Sequence, residues 1–279
     1  MLTDEQRAGF QRHGYIVLPD FKSAAEIAAL RARAAQIVDE FDPGQGSSIF
    51  TTQDQVTATD DYFLRSDNTI RCFFEEEAFD KYGRLRQDKA LSINKIGHAL
   101  HDLDPVFERF SRDPRLAAVA RDLGLADALI WQSMYIFKQP GIGGEVRWHQ
   151  DATFFETTPI SVTTFWFALE DATIENGCLW VEPGGHRGPM RERFVRNGDD
   201  IKMEKLDATP WPDDSVAVPL EAKAGSLVCF HGLLPHYSAP NRSPVSRHAY
   251  TLHATDGRTA YSPQNWIQRS AAFPARGFD

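Results

Sequence analysis

Cysteine is scarce. Cys72, Cys178 and Cys229 are the only three in 279 residues, far apart and without a CxxC pair. That spacing excludes a disulfide framework and a cysteine-built zinc site, and the apolar neighbours of each thiol point to buried, inert side chains. No run approaches the ~20 apolar residues of a membrane span. The start, Met1-Leu2-Thr3-Asp4-Glu5, lacks the apolar segment of a signal peptide. A soluble, reducing, cytoplasmic setting is the expectation. Blocks of Lys and Arg are missing too: the formal net charge is −9 and the pI about 5.5. Nucleic acid and anionic membrane are therefore poor partners, although a local basic pocket for a small anion stays open. There is no GxGxxG fingerprint, Walker loop or GxSxG elbow, and no internal repeat.

What the chain does have is ordinary globular material, 42% hydrophobic and 25% charged, enough for a large core. Thr3 to His13 reads as a short helix with Thr3 and Gln6 placed as a capping box, followed by a strand over 14–18. Ser23 and Glu26 open a stronger helix, whose Ile27, Leu30, Ala34, Ile37 and Phe41 keep helical spacing until Pro43-Gly44; it should cover a sheet. Asp113-Pro114 opens another helix, to Leu123. From Ile130 the character changes. Aromatic and β-branched runs at 130–137, 161–169, 177–181, 226–230 and 248–253, punctuated by Gly, Pro and Asn, predict an all-β sandwich or barrel. His186 to Asp214 reads as a long irregular segment of the kind that forms a lid or binding loop. No linker divides the chain, so residues 1–279 are expected to form a single domain.

Chemistry enters at Arg147-Trp148-His149-Gln150-Asp151. Residues two apart on a strand share a face, so His149 and Asp151 can reach one ion. With a distant histidine they would form a two-histidine, one-carboxylate set that leaves coordination positions open. Alone, HxD is a common tripeptide. The segment Gly225 to His231, a glycine turn and buried strand, leads to His236, and Arg247 follows at the start of the next strand. A guanidinium there suits bidentate capture of a co-substrate carboxylate.

The chain resembles the phytanoyl-CoA dioxygenase family. The resemblance is carried by residues 61–64, 92–101, 132–140, 143–146, 149–152, 170–173, 175–180 and 262–266, which run through nearly its whole length. It implies a mainly β protein with flanking helices around a double-stranded β-helix core, the jelly-roll or cupin-like fold. It implies Fe(II) on His149, Asp151 and His236, with 2-oxoglutarate and O₂ as co-substrates. It places 2-oxoglutarate contacts at Lys95, Met134, Trp166, Ser238 and Arg247. The implied reaction is hydroxylation of a C–H bond in a small organic molecule, with 2-oxoglutarate decarboxylated to succinate. Desaturation, epimerisation or ring formation with the same cofactors is one alternative, and a non-catalytic, metal-containing cupin-like binding protein another. Asp151 argues against halogenation, which needs that position vacated. Trp148 departs from the pattern, which has a smaller residue there, and would reshape the substrate side. Neither a CoA-phosphate cluster nor an oligomeric state is legible; Arg65, Arg71, Lys138 and Arg147 are scattered candidates for an anionic site.

Other residues invite rival readings. His231 ends the buried strand and reads as a packing or hydrogen-bonding residue rather than the ligand. His186 reads as structural or as pocket rim, and His98 and His101 as lying on a helix turn without a third ligand. His248 and His253 read as satisfied imidazoles. Asp60-Asp61 and Glu75-Glu76-Glu77 lack the glycine turn of a calcium loop and read as solvated surface.

Overall fold

The computed structural model describes residues 1–53, 56, 59–213 and 215–278. Helix α1 (Asp4–His13) starts where expected: the Thr3 hydroxyl accepts from the Gln6 amide and the Gln6 side chain accepts from the Thr3 N–H. Gly14 closes it at φ 83°, the left-handed conformation that glycine adopts without a Cβ penalty. Helix α2 (Ala24–Glu40) repeats the capping box with Ser23 and Glu26 and buries Ile27, Leu30, Ala34 and Ile37. Helices α3 (Asp61–Leu64), α4 (Leu100–Leu103), α5 (Pro105–Ser111) and α6 (Pro114–Asp122) follow. Both α5 and α6 begin Asp-Pro. The aspartate accepts amides that the first turn leaves unpaired, and proline sits where its missing N–H costs nothing.

The strands are β1 (Tyr15–Leu18), β2 (Ile70–Phe74), β3 (Ile93–His98), β4 (Ala128–Ile136), β5 (Val146–His149), β6 (Thr157–Thr158), β7 (Thr163–Ala168) and β8 (Leu179–Val181). They continue with β9 (Glu192–Asn197), β10 (Asp200–Lys205), β11 (Val218–Leu220), β12 (Leu227–His231), β13 (His236–Ser238), β14 (Ala249–Asp256) and β15 (Ala260–Tyr261). Seven form an antiparallel sheet in the order β1-β12-β7-β14-β4-β3-β2, and four form a smaller one, β11-β8-β13-β5. The interleaved strand order is that of a double-stranded β-helix.

Burial explains why the central strands read as continuous apolar runs. On β7, Phe165 and Phe167 pack with Leu30, Phe107 and Phe110 of the helical layer, while Trp166 and Ala168 pack with Leu179 and Val181 of the small sheet. On β12, Leu227 and Cys229 face the helices and Val228 and Phe230 the small sheet. A sheet covered on both faces needs apolar side chains on both, so the period of two vanishes from the sequence. Between the sheets lies a cavity of about 600 Å³.

Three expectations need correction. The segment from His186 to Asp214, whose last residue lies outside the described residues, is not irregular throughout. Residues 192–205 fold into the β9–β10 hairpin, turned by Gly198 at φ 64°, a glycine-first two-residue loop of the kind that matches strand twist. Glu75 is not solvated surface. It is fully buried, accepting from the Asn94 side chain at 2.7 Å and the Gly144 N–H at 3.0 Å. His98 ends strand β3 rather than lying on one helix turn with His101, which belongs to α4. Asp60, by contrast, caps α3.

Candidate functional site

Strand β5 ends at His149, and Asp151 opens a short 3₁₀ turn. Gln150 between them stays extended and points away, donating to the carbonyls of Pro189 and Leu233. The alternation that puts His149 and Asp151 on one side therefore survives one residue beyond the strand. Antiparallel pairing of β5 with β13 sets His236 directly opposite His149. The candidate ligand atoms of His149, Asp151 and His236 lie within 4.8 Å of one another, and Asp151 Oδ1 is 3.6 Å from His149 Nε2 and 3.7 Å from His236 Nε2.

Both histidines are prepared as ligands in the same way. His149 Nδ1 is 2.8 Å from the Arg147 carbonyl and His236 Nδ1 2.9 Å from the Leu234 carbonyl. A carbonyl can only accept, so each Nδ1 carries the proton and each Nε2 lone pair is turned toward Asp151. Burial, with the neighbouring His149 imidazole, pushes the His236 imidazole down to about 4 against the pull of Asp151. It is neutral at physiological pH, the form that binds metal. Burial opposes ionisation of Asp151, but His236 and His253 outweigh it and hold the carboxyl well below its usual range. Two imidazoles and a carboxylate lining one cavity are the donor set of a non-haem Fe(II) centre.

The second carboxylate oxygen of Asp151 is occupied from the large sheet. Thr164 Oγ1 on β7 donates to Oδ2, and His253 Nε2 on β14 stands 3.6 Å from the same atom. Phe155 stacks on the His253 ring at 4.9 Å. With Oδ2 engaged, Asp151 offers Oδ1 alone toward the histidines.

Basic side chains also line the cavity. Arg247 is buried; Nε donates to the Gly177 carbonyl at 3.1 Å and Nη2 to Ser238 Oγ at 3.4 Å, whereas Nη1 is buried with no partner among the described residues. Burial lowers its pKa to about 10. Trp166 lies beneath the guanidinium, 5.4 Å from the ring centre. Lys95 Nζ sits 3.4 Å above the Phe50 ring and 3.8 Å from Met134 Sδ, with no carboxylate partner among the described residues, so burial alone holds its pKa well below normal. Lys138 Nζ donates to the carbonyls of Gly144 at 2.6 Å and Ser238 at 3.3 Å. The hydroxyl of Thr251, in the same cavity, is also buried without a partner. Buried donors without acceptors are costly, and a dianion placed here would satisfy them.

The phytanoyl-CoA dioxygenase (PhyH) family profile matches residues 10–249. The chain belongs to the phytanoyl-CoA dioxygenase family. Family membership makes it a 2-oxoglutarate-dependent non-haem iron dioxygenase. It is 50% identical over 269 residues to phytanoyl-CoA dioxygenase 1 of Oryza sativa subsp. japonica, covering 96% of this chain and 94% of that protein. It is 44% identical over 282 residues to the bovine phytanoyl-CoA dioxygenase domain-containing protein 1, covering 98% and 97%. Among solved structures, iron-bound EctD from S. alaskensis superposes with a TM-score of 0.63 at 25% identity, covering 100% of this chain and 85% of that one. The non-haem α-ketoglutarate-dependent carbocyclase SnoK of nogalamycin biosynthesis superposes with a TM-score of 0.66 at 18% identity, covering 99% and 96%.

Against this family background the placement of individual residues is informative. Lys95, Met134, Trp166, Ser238 and Arg247 all line the cavity that holds His149, Asp151 and His236. His231 is outside it, its Nδ1 accepting from the Leu233 amide. His186 packs on His231 and on α1 through the Gln11 carbonyl, away from the cavity. Trp148 stacks on Tyr237 with ring centres 4.7 Å apart. Of the scattered cations, Lys138 and Arg147 line the cavity, whereas Arg71 lies over Tyr62 and Arg65 is exposed. Thr164 carries no signal in the sequence, and His253, read there as a satisfied imidazole, instead stands against Asp151 with its Nδ1 buried and without a hydrogen-bond partner among the described residues. Each is a polar residue on the cavity face of a strand buried on both sides, which becomes visible only once the strand's faces are assigned. No helix among the described residues is long and apolar enough to cross a membrane.

Proposed function

We propose that residues 1–279 form one catalytic domain that uses Fe(II) on His149, Asp151 and His236, and 2-oxoglutarate, to hydroxylate a C–H bond of a small organic molecule. The observation that carries this is Arg247: a buried guanidinium in the same cavity as the three ligands, whose Nη1 has no hydrogen-bond partner and which forms no ion pair among the described residues. Its planar fork suits the distal carboxylate of 2-oxoglutarate. Ser238 positions the fork through Nη2, Trp166 floors it, and Lys95 and Met134 line the same cavity. When bound, iron with 2-oxoglutarate and O₂ supplies oxidative decarboxylation to succinate and CO₂, and with it an oxidant for an unactivated C–H bond. The protein's part is to orient and to exclude water. Oδ1 of Asp151 and the two Nε2 atoms would hold the iron in the cavity that Arg247 also lines.

The test is anaerobic reconstitution with Fe(II) and 2-oxoglutarate, followed by succinate measurement on admission of air, with and without a metabolite library. Succinate that requires both additions is expected. Succinate at background under every condition would leave a metal-binding protein without turnover and overturn the proposal. The fold is shared with a carbocyclase and with the epimerase SnoN, so product analysis must separate hydroxylation from ring closure, desaturation and epimerisation.

A further inference from the structure

The cavity is also lined by charged side chains of both signs, Arg147 and Glu192, that have no ion-pair partner among the described residues. Arg147 precedes His149 by two residues on β5 and so shares its face. Its backbone is engaged, the N–H with Thr52 Oγ1 at 3.2 Å and the carbonyl with His149 Nδ1, yet its guanidinium has no partner among the described residues. Glu192 opens β9 opposite Lys205, but the two form no ion pair, and the Glu192 carboxylate is likewise unpartnered. It faces the cavity because Phe194, two residues on, packs on Phe154 at 5.7 Å. The intervening Arg193 turns the other way, to Glu156 at 3.0 Å and Glu204 at 2.6 Å. Lys202 also pairs with Glu204. The charges on the hairpin's far side are thus matched, and the one aimed at the cavity is not.

We infer that the substrate is a small dipolar molecule, with an anionic group held by Arg147, a cationic group held by Glu192, and an apolar body between them against Phe154 and Met203. Two charges of opposite sign lining one cavity would orient such a molecule and hold one of its C–H bonds toward the metal ligands. An acyl-CoA, with several negative charges and no cation, would leave the Glu192 carboxylate without a counter-charge. This inference rests on the oxygenase reading of the cavity.

The experiment uses the Fe(II)- and 2-oxoglutarate-loaded protein without oxygen, titrated by calorimetry with ω-amino acids of three to eight carbons and with the monocarboxylate and monoamine of each length. At least one amino acid should bind ten times or more tightly than both of its singly charged counterparts. Arg147→Gln should reduce that amino acid to the affinity of the amine's class, and Glu192→Gln to that of the carboxylate's. Arg147→Lys and Glu192→Asp, which keep charge, should recover part of the preference and guard against a misfolded neutral variant. No amino acid exceeding its counterparts at any length, or tighter binding of monocarboxylates throughout, overturns the inference. Succinate release by the wild-type samples on admission of air tests the oxygenase reading separately, so the two can fail independently.

Discussion

Arg247 is the residue on which the co-substrate assignment turns. A buried charge-assisted pair loses roughly 2–5 kcal/mol when one partner is truncated. Arg247→Ala should therefore raise the 2-oxoglutarate requirement by on the order of 10²–10³, while iron binding stays intact; an unchanged requirement would remove the clamp role. Thr164 and His253 act one step further out, through Asp151 Oδ2. Thr164→Val keeps shape and loses the donor. It should weaken Fe(II) binding by on the order of 10–100-fold, the usual cost of losing an outer partner of a metal ligand. Full-strength binding in that variant, measured by competition with a chelator, would show that Asp151 needs no second tether.

At the scale of elements, the site depends on one close approach. The Gly232 carbonyl accepts from Ala152 N–H at 2.9 Å and its N–H donates to the Val162 carbonyl at 2.8 Å, tying the turn after β12 to the turn that carries Asp151. A Cβ on Gly232 would stand 2.0 Å from Val162 Cγ1 and 2.8 Å from the Val162 carbonyl oxygen. Gly232→Ala should cost roughly 1–3 kcal/mol of stability and, because the turn must shift, also lower metal affinity. Loss of stability with unaltered affinity would mean that the strain relaxes elsewhere. Elements with local signals were legible: the capping boxes at Thr3 and Ser23, the Asp-Pro helix start at Asp113, and the glycine turn at Gly225 that leads into β12 all proved correct in kind. Strands β2 and β3 were not foreseen. Their polar members, among them Asn94, Lys95 and His98, break the apolar pattern because they face buried partners and a cavity instead of solvent. The hairpin at 192–205 hid behind charges that pair across its outer face.

For the whole molecule, the same burial that readies the site makes the fold sensitive to acid. His231 and His248 are both pushed down to about 4, chiefly by burial, and His98 and His101 are lowered as well. Their ordinary value is 6.5. Below it the unfolded chain takes up protons that the folded chain refuses. Stability is therefore full above about pH 6.5 and falls as the pH drops toward 4, by roughly 1.4 kcal/mol per pH unit for each such group. Urea midpoints between pH 7 and 4 should fall steeply, and His231→Gln should flatten the slope; an unaltered slope would mean that His231 is protonated in the folded state. The metal triad was legible at this scale only through spacing and family likeness. The register that sets His236 opposite His149 is a property of the folded sheet. The tautomers that make both imidazoles ligands depend on carbonyls of Arg147 and Leu234, which any residue would supply.

Which imidazoles hold the metal is measured most directly by anaerobic Fe(II) titration of three single variants. His149→Ala and His236→Ala should each lose stoichiometric binding and all succinate formation, while His231→Ala binds one equivalent as the wild type does. If His231→Ala strips the metal and His236→Ala retains it, the site has been placed on the wrong residues.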